Sequence, residues 1–93
     1  MDTAARAAVP ARAAVHAGGV ETSYIRVGRG DAIVLVVDDV DASATQELLE
    51  TLSARYVVFA AAPGLSGELL SRWLSGFVEA LGIGEARVMM LVA

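Results

Sequence analysis

Residues 32–41, AIVLVVDDVD, decide how the rest of the chain is read. Ala32 to Val37 is apolar without alternation, so a strand formed there must be covered on both faces. That is the signature of a buried parallel strand with helices on either side. Three carboxylates, Asp38, Asp39 and Asp41, follow immediately and enclose Val40. Open α/β sheets gather ligands and reacting groups at the carboxyl ends of their strands. This acidic turn is therefore the first place to look for chemistry.

Beyond the turn, Ser43 and Gln46 have capping-box spacing, and Thr45, Leu48, Leu49 and Leu52 form an apolar stripe. The pattern predicts a helix ending near Ser53. Arg55 to Ala62 is a further strand with two apolar faces, broken by Pro63-Gly64-Leu65-Ser66-Gly67. Leu69, Leu70, Trp73, Leu74, Phe77, Val78 and Leu81 then recur at steps of three and four. They make an amphipathic helix that needs a sheet to pack on, with Gly82 as its C-cap. The strand from Arg87 to Ala93 follows.

Before the turn, residues 20–27 alternate, with Val20, Thr22, Tyr24 and Arg26 on one face and Glu21, Ser23, Ile25 and Val27 on the other. Gly28-Arg29-Gly30-Asp31 is expected to reverse the chain into the strand at 32–37. The embedded Arg29-Gly30-Asp31 tripeptide is a turn before it is an adhesion motif. Residues 1–19 are expected to be a flexible, Ala-rich leader that ends at Gly18-Gly19, with residues 20–93 as the domain. The expected fold class is α/β: an N-terminal antiparallel strand pair, then β-α-β-α-β in a small, mostly parallel sheet.

Composition narrows the function classes. The 93 residues are 56% hydrophobic and carry a net charge of -4; all seven basic residues are Arg. Without a basic stripe to neutralise phosphates, nucleic acid is not an expected partner. The chain contains no cysteine, which removes disulfides, thiolate catalysis and Cys-ligated zinc. Mean hydropathy is positive, yet no apolar run approaches the ~20 residues of a membrane span. No membrane association is expected, and the chain reads as cytoplasmic.

The pattern as a whole resembles the N-terminal half of an α/β hydrolase. The resemblance runs over residues 20–93 and rests on a strand pair joined by Gly-x-Gly and on LVV followed by an elbow. YVVFAAAPG and an amphipathic helix ending ALGIGEARVMMLV complete it. The family's pattern places His-Gly after the first buried strand, an Asp in the second loop and Gly-His-Ser-x-Gly after the last strand. Here those positions hold Asp38-Asp39, Ala61 and the end of the given sequence at Ala93. No Gly-x-Ser-x-Gly occurs, and Gly64-Leu65-Ser66-Gly67 is a near miss on the wrong strand. The family's order is Ser, then acid, then His, so His16, which precedes every element, does not fit the general base.

No catalytic side chain is therefore assigned. The resemblance leaves one catalytic part: the backbone N–H of Val40, at the position of an oxyanion-hole donor, with three carboxylates beside it. Negative charge there opposes a developing oxyanion. The resemblance implies ester or related acyl hydrolysis as the ancestral chemistry, and a truncated or degenerate homologue without activity as a single chain. The alternative is the N-terminal portion of an active esterase or acyl hydrolase completed by a missing C-terminal part. With the remaining strands absent, the edge from Arg87 to Ala93 is expected to self-associate or to pair with a partner chain.

A second alternative is a receiver-like domain. VLVVDD before a helix is similar to the opening of a response-regulator receiver, and carboxylate oxygens suit a hard divalent cation. Asp38, Asp39 and Asp41 are thus a candidate metal set, against the reading of a solvated acidic turn capping a helix. The receiver's acceptor Asp has no counterpart in residues 88–93, and its Lys has none in a lysine-free chain. A dinucleotide site at residues 63–67 lacks the Gly-x-Gly-x-x-Gly spacing. No cofactor is expected.

Overall fold

The computed structural model describes residues 10–91. The expectations for residues 1–9 and for Val92 and Ala93 lie outside that range. Five strands and two helices follow in the order β1 (Ala11–Ala17), β2 (Val20–Gly28), β3 (Asp31–Val37), α1 (Ser43–Leu52), β4 (Tyr56–Ala61), α2 (Gly67–Leu81) and β5 (Arg87–Leu91). They form one sheet in the order β1-β2-β4-β3-β5. β4, β3 and β5 run parallel, while β2 is antiparallel to both β1 and β4.

Two expectations about the N-terminal half are corrected. Residues 11–17, assigned to the leader, form strand β1. Gly18 and Gly19 both have positive φ (58° and 82°) and make the two-residue turn that joins it to β2, with Ala17 opposite Val20. Two consecutive positive φ values match the twist of a tight hairpin and are tolerated by glycine. Alanine is a poor strand former, so nothing local in ARAAVHA announces a strand. What holds it is packing: Ala17 is buried beneath α2, and Val15 packs against the same cluster.

The antiparallel pair is therefore β1 with β2, not β2 with β3. The turn at residues 28–31 joins two strands that are not neighbours, because β4 lies between them. Gly28 and Gly30 (φ 96° and 115°) let this connection pass flush against the backbone of Ser53, Arg55 and Tyr56, where any Cβ would collide.

β3 is buried from Ile33 to Val37, as its composition requires. Val34 and Val36 join Ala17, Phe59, Ala61, Trp73 and Phe77 under α2. Leu35 and Val37 join Ile25, Val27, Leu49, Val58 and Ala60 under α1. One helix thus covers each face. α2 ends as expected: Gly82 sits in the left-handed region (φ 69°), its N–H bonds Glu79 O, and the Ile83 N–H bonds Val78 O at 2.9 Å, a Schellman cap. Leu69, placed in the apolar stripe, is instead 60% exposed in the first turn of α2.

The capping box is also corrected. The N-cap of α1 is Ala42, which has no side-chain cap, and Ser43 is the first helical residue. Gln46 and Thr45 reach back further, to the carbonyls of Val40 (2.7 Å) and Asp39 (2.9 Å).

Candidate functional site

The carboxyl ends of β3 and β4 open onto one side of the sheet, and the acidic turn lies there. It closes with two short bonds: the Asp41 N–H donates to Asp39 Oδ1 (2.9 Å) and the Ala42 N–H to Asp39 O (3.3 Å). The first is the local side-chain-to-backbone bond that Asp favours in turns. Gln46 Nε2 holds the Val40 carbonyl and the Thr45 hydroxyl holds the Asp39 carbonyl. The peptide between Val40 and Asp41 is thus clamped on both sides. The Val40 N–H is not among the groups these bonds use.

Val40 is half-buried and lines a depression of about 230 Å³ with Val20, Glu21, Thr22, Ser23, Ala62 and Pro63. Its walls come from three places in the chain: the turn after β3, the loop after β4 and the start of β2. A larger groove of about 710 Å³, lined by Gly30, Asp31, Ala32 and residues 82–87, lies at the opposite end of β3. No buried polar side chain points to a ligand there, and it is not where a parallel sheet places its chemistry.

The three carboxylates do not act together. Asp38 and Asp39 are exposed, and Asp39 is turned onto its own backbone. Asp41 pairs with Arg12 of β1 at 2.8 Å, with the two side chains 69% and 63% exposed. Among the described residues no three His, Cys, Asp or Glu side chains are grouped to hold a metal ion. His16 is exposed on β1 opposite Glu21. Ser66 is the exposed N-cap of α2, and Ala61 is buried at the end of β4.

Arg12 is the residue at this site that sequence reasoning missed, because it was read as part of a leader. Gly18-Gly19 is a dipeptide that suits a two-residue hairpin turn, but the Ala-rich residues before it carry no strand signal of their own for that turn to join. No helix among the described residues is long and apolar enough to cross a membrane.

No family model and no curated protein matches the sequence. Solved structures do match. An epoxide hydrolase from Vigna radiata superposes with a TM-score of 0.72 at 14% identity, over 87% of this chain and 30% of its own. Epoxide Hydrolase A from Mycobacterium thermoresistibile gives 0.66 at 21% identity, over 88% and 31%. The fold is the N-terminal part of an α/β hydrolase. A serine hydrolase involved in carbazole degradation agrees, with 0.63 at 20% identity, over 90% of this chain and 38% of its own. The chain thus spans about a third of the length of these hydrolase-fold enzymes, and at such identities the likeness concerns the fold. Within it, the acidic turn stands at the carboxyl end of β3, which lies between β4 and the edge strand β5, and beside the loop after β4.

Proposed function

We propose that this chain is an α/β-hydrolase-like scaffold that does not turn over substrate by itself and acts in association with another chain. The observation that carries the reading is the charge of the turn after β3. The one candidate oxyanion donor, the Val40 N–H, has Asp38, Asp39 and Asp41 as its neighbours in sequence. Donors that serve an oxyanion act by preorganised positive potential. A penalty of about 2 kcal/mol in the transition state already removes about thirtyfold in rate. Arg12 offsets one carboxylate of the three, and no Gly-x-Ser-x-Gly nucleophile elbow is present in the 93 residues.

The association half rests on β5. It stands at the edge of the sheet, and Val88, Met89 and Met90 are exposed, although their neighbours on β3 are buried. An apolar edge strand with free backbone groups is a template for another strand.

The coverage of the neighbours, 30 to 38% of their length, favours a second reading. In it, these strands are the N-terminal portion of an active hydrolase whose other residues supply nucleophile, acid and base. Epoxides and esters are then the substrate classes to assay, since the neighbours are epoxide hydrolases and a serine hydrolase. The test is turnover of p-nitrophenyl esters and of an aryl epoxide by the purified 93-residue chain. The expected result is a rate equal to buffer; turnover that survives repurification overturns the scaffold reading.

A further inference from the structure

β5 differs from the other strands in the chemistry of its exposed side chains. Val88, Met89 and Met90 are exposed by 43%, 39% and 55%, and two of the three carry a thioether. Met89 stands beside Leu35 and Met90 beside Val36. Leu35 belongs to the cluster under α1 and Val36 to the cluster under α2. Residues level with one another on neighbouring strands share a face, and successive residues alternate. Met89 therefore lies on the α1 side and Met90 on the α2 side, so each face of the edge strand exposes one thioether side chain.

We propose that Met89 and Met90 are an oxidation site: a peroxide converts both to sulfoxides in the folded chain and so switches the β5 edge from apolar to polar. The proposal rests on the association half of the proposed function and names a chemistry that regulates that edge, whatever chain covers it. The sulfur of each thioether attacks one oxygen of hydrogen peroxide, and the S–O bond forms as the O–O bond breaks. The departing hydroxide takes the proton of the transferred oxygen and leaves as water. Each sulfur is oxidised by two electrons and each peroxide reduced by two, so no further reactant is needed. The sulfoxide is polar where the thioether was apolar.

The rest of the chain leaves the oxidant to these two residues. There is no cysteine to compete for it. Trp73, the only tryptophan, is 1% exposed, and its indole N–H donates to Thr22. The third methionine, Met1, lies outside the described residues and provides an internal reference. Covering the edge shields both thioethers, while oxidising them removes apolar surface from it. Oxidation and association therefore oppose one another by mass action.

The test adds dilute hydrogen peroxide to the full 93-residue chain with and without urea. Trypsin then releases residues 88–93, which carry both methionines and are separate from Met1. Tandem mass spectrometry is expected to find both oxidised in the folded chain within about threefold of their rates in urea, Met90 ahead of Met89. Protection of either by about tenfold or more overturns the site. The switch is read by retention on a phenyl column. Peroxide is expected to shorten the retention of the wild type and to leave the double variant Met89→Leu/Met90→Leu unchanged, because Leu keeps the apolar volume without a thioether. A shift equal in both proteins, or in neither, overturns the switch. The melting temperature separates these outcomes from the association reading. Its rise with concentration is expected to vanish on oxidation of the wild type and to persist in the oxidised double variant. A melting temperature independent of concentration before any oxidation removes the association half of the proposed function, while the mass spectra still decide the site.

Discussion

Among the described residues, Thr22 and Trp73 form the one buried side-chain hydrogen bond that ties the hairpin to a helix. Trp73 Nε1 donates to Thr22 Oγ1 at 2.9 Å, with both residues buried. Replacing Thr22 by Val keeps the shape and strands the indole N–H. The expected cost is about 1 to 3 kcal/mol, read as a lower urea midpoint by tryptophan fluorescence, and Thr22→Ser should recover most of it. Arg12→Ala removes an equally short contact, but an exposed one. Its expected cost is at most about 1 kcal/mol; a larger drop in melting temperature contradicts the reading of that pair as a surface contact. At the same scale, Mg²⁺ or Mn²⁺ titration is expected to leave the melting temperature unchanged, since Asp39 and Asp41 are already directed to the Asp41 N–H and to Arg12. A saturable rise at millimolar metal restores the metal reading. The positions of Asp38, Asp39 and Asp41 at a strand end were legible in the sequence. The direction of Asp41 was not, because it depends on Arg12, 29 residues away.

The elements divide by how local their causes are. α2 and its cap could be read from spacing and from Gly82, because a helix long enough to carry a seven-residue stripe announces itself every three or four residues. β1 could not, since alanine carries little strand preference and the strand exists through its contacts with β2 and α2. The meeting of the hairpin with α2 is close. A Cβ on Gly76 stands 2.7 Å from Gly18 N, and one on Gly18 stands 2.9 Å from Trp73 Cα. Gly19, the other turn residue, has open space around it. Gly19→Ala is therefore expected to cost only the backbone strain of a positive φ, about 1 to 2 kcal/mol. Gly18→Ala should cost more, by an overpacking increment of about 1 to 3 kcal/mol. Equal denaturation midpoints for the two variants contradict this account of the helix–hairpin contact.

At the scale of the fold, one helix per face and five strands among the described residues leave part of the sheet uncovered. The helices cover the apolar residues of β3 and β4 and the inward-facing residues of β2, while Val88, Met89 and Met90 of β5 stay exposed. A domain of this size has little surplus burial to set against chain entropy, so covering β5 should raise stability. The melting temperature is accordingly expected to rise with protein concentration, as mass action requires when association stabilises the folded state. A concentration-independent transition contradicts association through β5. Strand order is the property at this scale that spacing alone did not yield. The chain meets β2, then β3, then β4, yet β4 lies between the other two.

The sequence by itself determined the α/β class, the doubly buried strand that precedes the first helix, both helices, and an acidic turn at the carboxyl end of that strand. Each of these is written within a few residues, as hydrophobic period, as a breaker or as a run of charge. The tertiary structure alone decided that residues 11–17 are a strand, which strands pair, and that Arg12 reaches Asp41. Those outcomes depend on residues far apart in the chain competing for the same backbone partners and the same buried space. No local pattern records which of them wins.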